Sequence, residues 1–74
     1  MIEYRIIKQL AEISSTGSSA KRLTVTSWNR SPAKLDLRVW LTDEEPAKPG
    51  KGMTLTEEEA IALADALNAY LQGI

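Results

Sequence analysis

The sequence predicts an α+β domain in which four β-strands precede one C-terminal helix. Three observations carry that prediction. Apolar residues alternate with polar ones through "KRLTVTSW" and "KLDLRVW", the two-residue period of a strand with one face covered. Turn chemistry in "SSTGSSA" and "NRSPA" separates these runs from their neighbours. After Thr56 the apolar period changes from two to 3.6, which is helical.

The first strand lies within "IEYRIIKQLAEIS". There Ile2, Tyr4 and Ile6 share one phase and Ile7, Ala11 and Ile13 the other, so a bulge is expected near Ile6 and Ile7. "SSTGSSA", residues 14–20, is the hairpin loop. The second strand, 21–28, places Leu23 and Val25 inward and Arg22, Thr24, Thr26 and Trp28 outward. In the third, Leu35, Leu37, Val39 and Leu41 face inward, leaving Lys34, Asp36, Arg38 and Trp40 outside. "DEEPAKPG", 43–50, reads as a loop and "KGMTL", 51–55, as a short fourth strand.

The helix start is marked by the capping-box pattern of Thr56 and Glu59, with Glu57 and Glu58 at the positive end of the dipole. It should run to about Gln72 and stop at Gly73. Ala60, Leu63, Ala64, Leu67 and Leu71 form its main stripe, expected to cover the sheet. Ala62, Ala66 and Ala69 widen the apolar arc well beyond the roughly 100° that one contact needs. Two readings fit those alanines: good helix formers on an exposed face, or a close contact with a second copy across a two-fold axis.

A chain of 74 residues without cysteine has neither the size nor the disulfides to be comfortably stable alone, so a partner subunit is expected. The absence of cysteine and histidine removes thiolate and imidazole zinc sites and the usual neutral-pH nucleophiles and bases. The acidic runs at 43–45 and 57–59 suit a solvated loop and a helix cap. "KPGKG" lacks the spacing of a phosphate loop. No enzyme, cofactor or small-molecule substrate is therefore expected. With no apolar run of ~20 residues and no signal-peptide pattern, the chain reads as soluble and cytoplasmic, without a membrane partner.

The net charge of −1 hides an asymmetry. Residues 1–42 carry seven cations against three acids, a net +4, and residues 43–74 carry two against seven, a net −5. On the outward face of strands two and three, Arg22 and Trp28 would lie beside Lys34, Arg38 and Trp40, with Arg30 at the turn. Cations that follow phosphates, and exposed rings that stack on unpaired bases, are what single-stranded nucleic acid requires. The competing reading covers one tryptophan with the first strand or a partner and pairs Asp36 with Arg38 or Lys34. It leaves a protein-binding module.

"SWN" at 27–29, "KLDLRVW" at 34–40 and "GKGMTLTEEEAIAL" at 50–63 together resemble the transcriptional coactivator family of positive cofactor four, particularly its compact bacterial YdbC-like branch. The resemblance spans residues 4 to about 70. It implies a curved four-stranded antiparallel sheet followed by one helix, homodimeric, that binds single-stranded DNA with little sequence preference, RNA being an alternative ligand. It implies a cytoplasmic, nucleoid-associated protein serving transcription, replication or repair. Carried onto this sequence, the contacts are Trp28, Asn29, Lys34, Arg38, Trp40 and Lys51. Arg5, Lys21, Arg22 and Arg30 join them on the charge reading, and Ala62, Ala66 and Ala69 are the expected dimer contacts.

Overall fold

The computed structural model describes residues 3–74. Its elements are β1 (Tyr4–Ser15), β2 (Ser19–Trp28), β3 (Lys34–Leu41), β4 (Lys48–Leu55) and α1 (Glu57–Gln72). The strands form one antiparallel sheet in the order β1-β2-β3-β4. Four strands and a terminal helix are thus present as the periodicity requires. Ile2, assigned to the first strand by its sequence, lies outside the described residues.

β1 is bulged at three places. Between Ile6 and Lys8, between Gln9 and Ala11, and between Glu12 and Ser14 it takes two steps while β2 takes one. The extra residues are Ile7, Leu10 and Ile13. The first matches the phase change in the sequence; the other two were not read from it. Each bulge bends and twists the strand, and Ile7 and Ile13 line grooves with residues of the Leu37 and Ser27 side of the sheet.

β4 begins at Lys48, three residues earlier than the 51–55 segment expected, so the preceding loop is correspondingly shorter. Pro49 fits within it because β4 is an edge strand, where a missing N–H is tolerated. Opposite Val39 it too carries an extra residue, since Arg38 pairs with Gly52 and Trp40 with Pro49.

The larger correction concerns sidedness. Thr24, Thr26, Asp36 and Trp40, all assigned outward, are buried. Leu23, Val25, Leu35, Leu37 and Val39, assigned to the core, are only half-buried, and Leu41 is exposed. Among the described residues no second layer covers the buried face, and Tyr4 of β1 reaches Trp40 of β3 across it, so the sheet curls around it. The threonines satisfy each other there, with their hydroxyl oxygens 2.7 Å apart.

The helix caps as expected: the Glu59 N–H donates to the Thr56 hydroxyl and the Thr56 N–H to the Glu59 carboxylate. It does not cover the sheet. α1 meets it chiefly at β4, none of its residues is buried, and Leu63, Leu67 and Leu71 of the main stripe are exposed. Among the described residues, Ala20 and Trp40 are the sole buried apolar side chains.

Candidate nucleic-acid interface

The curl of the sheet gathers Tyr4, Trp28, Asp36, Arg38 and Trp40 into one stack. Asp36 and Arg38 are two residues apart on β3 and so share a face. The Arg38 Nε donates to both carboxylate oxygens of Asp36, at 3.2 and 3.0 Å, and Nη2 to Oδ1 at 2.8 Å. Nη1 donates to the Gly50 carbonyl at 2.9 Å. The guanidinium carbon lies 4.6 Å from the centre of the Trp28 ring, a cation–π contact. Tyr4 packs on both indoles, 5.3 Å from Trp28 and 5.5 Å from Trp40.

Three expected contacts change role in consequence. Trp40 is 1% exposed, so it is a core residue beneath Tyr4 and not an uncovered stacking platform. Arg38 directs its guanidinium at Asp36 and Gly50, which makes it the brace of Trp28 instead of a free phosphate ligand. Asn29 accepts from the Glu3 N–H through its side-chain oxygen at 3.1 Å, while its own N–H donates to the Glu3 carbonyl at 2.8 Å. Its side chain ties the start of the chain to the β2–β3 turn.

That turn is tight. Asn29 and Arg30 have φ of 49° and 65°, and the Ser31 N–H donates to the Trp28 carbonyl, the pattern of a type I′ turn. Asparagine tolerates the left-handed conformation well. The turn holds Arg30 out in solvent and forms a ridge with a groove on each side. Trp28, Ser31, Pro32, Lys34, Arg38 and Thr54 line the smaller groove, of about 200 Å³. The larger, of about 610 Å³, contains Glu3, Arg5, Ser27 and Arg30 and shares Ser31 and Pro32 with the first. Trp28 is half-buried and its indole N–H has no acceptor and no solvent access, so what it offers a ligand is ring surface.

The remaining candidates separate. Arg22 pairs with Glu12 across β1 and β2 at 3.3 Å. Lys21 and Lys51 do not line the Trp28 groove; they line a third one with Ile13, Leu37, Arg38 and Val39. The grooves at the turn therefore draw together Trp28, Lys34, Arg38, Arg5 and Arg30; Lys21 and Lys51 adjoin that set only through Arg38, and Arg22 is taken up by Glu12. Glu3, Ser31, Pro32 and Thr54 belong to the grooves and were not singled out in the sequence. For Thr54 the signal was there, since alternation from Gly52 puts it opposite Asp36. Glu3 was one of the three acids of the basic half.

Among the described residues there is no cluster of acids able to hold a metal ion, and no helix is long and apolar enough to cross a membrane. Residues 15–66 match the family described as Transcriptional Coactivator p15 (PC4). The chain belongs to the PC4 family. This is a non-enzymatic, nucleic-acid-binding family known for binding single-stranded DNA. The PC4 match runs from the end of β1 into α1, so it takes in both sides of the β2–β3 turn. An uncharacterized protein of Treponema pallidum (strain Nichols) is 39% identical over 67 residues, which are 89% of this PC4 chain and 76% of that protein.

Proposed function

We propose that the protein is a homodimer that binds single-stranded DNA, with little sequence preference, across the β2–β3 turn. One observation carries the placement: the half-buried Trp28 ring opens into a groove beside the exposed Lys34. A base stacked on Trp28 puts its phosphate within the field of Lys34, and the strand continues over Ser31 and Pro32 toward Arg30 and Arg5. Arg38 contributes by holding the Trp28 ring. Stacking and phosphate contacts tolerate any sequence, since every base has a π-face.

A second copy supplies what the protomer lacks. The exposed leucine stripe of α1 and the half-buried Leu35–Val39 face both need a cover, and Ala62, Ala66 and Ala69 allow a second backbone to approach closely.

Titration with a single-stranded oligonucleotide tests the reading. Binding quenches Trp28 fluorescence while the enclosed Trp40 contributes little, weakens as salt rises, and is tighter than binding to the same sequence in duplex. Unchanged fluorescence and no complex at low salt would rule it out. Competition with the matching RNA assigns the preferred sugar, because neither stacking nor phosphate contacts distinguish the two.

A further inference from the structure

We infer that Glu3 is a built-in competitor of the nucleic acid: in the larger groove its carboxylate holds, on Arg30, the place of a phosphate. The inference rests on the single-strand reading above and adds a control on its affinity. Arg30 is the most solvent-accessible cation of the ion pairs among the described residues, its side chain 87% exposed, at the edge of a groove lined also by Arg5, Ser27 and Ser31. A phosphate oxygen meets such a site readily. The Arg30 Nε instead donates to a Glu3 carboxylate oxygen at 3.3 Å.

The position of Glu3 is fixed from the backbone. Its N–H and carbonyl are both bonded to Asn29, 26 residues along the chain. The carboxylate is thus delivered to the groove by the same turn that displays its partner. An exposed pair of this geometry adds little to stability, and Glu3 is itself 62% exposed. Its consequence is felt by an incoming anion. A phosphate must either displace the carboxylate or approach the free end of the guanidinium against its repulsion. Arg38 shows the contrast: its acid, Asp36, is fully buried and triply bonded, so no strand can displace it.

Removing the competitor should release Arg30 for binding. With an oligo-dT single strand and the full chain, Glu3→Gln is expected to bind about 2–5-fold tighter at low salt, the scale of an exposed ion pair. The slope of log K against log salt should steepen by about 0.7, one additional phosphate neutralised. Glu58→Gln, which removes the same charge from the exposed helix start, sets the baseline for net charge alone. Arg30→Gln should weaken binding more in the Glu3→Gln background than in the wild type. The inference is overturned if wild type binds and Glu3→Gln matches Glu58→Gln in affinity and slope, or if Arg30→Gln costs the same in both backgrounds. If neither protein binds oligo-dT, the single-strand reading falls and takes this one with it.

Discussion

Arg38 directs its guanidinium into the protein, and that decides what its substitution will show. Three of its bonds end on Asp36, which has no exposed surface, and the fourth on the Gly50 carbonyl. Arg38→Met would leave a carboxylate buried without a counter-charge, a loss of about 3–5 kcal/mol. Chemical denaturation should therefore find the variant strongly destabilised. The double variant Asp36→Leu/Arg38→Met removes both charges and should recover most of that loss. A single variant as stable as the wild type would show that the pair does not hold the concave face together. Reading "KLDLRVW" as a strand with two distinct faces was sound, because alternation fixes which residues travel together. It put the wrong face inside, giving the core to Leu35, Leu37 and Val39 when Asp36 and Trp40 are the buried residues. Sidedness depends on the direction in which the sheet curls, and here it curls toward Trp40, Asp36 and the threonines.

Among the elements, β4 shows why a short glycine-rich run was legible only in part. Lysines, a proline and two glycines look like a loop, yet residues 48–55 form a strand paired with β3 on both sides of its bulge. The glycines are what allow it. A Cβ on Gly52 would sit 2.5 Å from the Arg38 Cβ and 2.6 Å from both the Arg38 Cα and the Leu37 carbonyl oxygen, largely backbone that cannot swing away. Gly52→Ala should then destabilise the fold by about 1–3 kcal/mol, the range of an overpacked site. A denaturation midpoint unchanged by the substitution would mean that the strands separate at no cost. The two later bulges of β1 were hidden for a related reason. Its extra residues Ile7, Leu10 and Ile13 recur every three positions, which breaks the two-residue period by which a strand is recognised. The capping box of α1, by contrast, was fully visible, since Thr56 and Glu59 are a local signal that needs no knowledge of the rest of the chain.

At the scale of the whole molecule the protomer is too open for its size. Its accessible surface is 5721 Å², against about 4,500 Å² for a compact protein of this mass. Its radius of gyration is 13.5 Å, against about 11 Å. The difference in surface exceeds the ~800 Å² that each partner gives to an ordinary interface. Ile61, Leu63, Leu67, Tyr70 and Leu71 on α1, with Leu41 and Met53 on the sheet, supply apolar area for it. If, as proposed, a second copy covers these surfaces, folding and association are one equilibrium and the unfolding midpoint should rise with protein concentration. Sedimentation should give twice the 8.2 kDa chain mass. Leu67→Glu places a charge in the leucine stripe and Ala66→Glu one on the alanine side, and the pair of variants locates the contact. If both sides of α1 meet the second copy, each substitution shifts sedimentation toward the protomer and lowers the midpoint. If only the leucine stripe does, Ala66→Glu leaves both unchanged and the alanines are simply helix formers in solvent. A wild-type chain that sediments as a protomer with a concentration-independent midpoint would mean that this open sheet and its bare helix are stable alone, and the dimer would have to be given up.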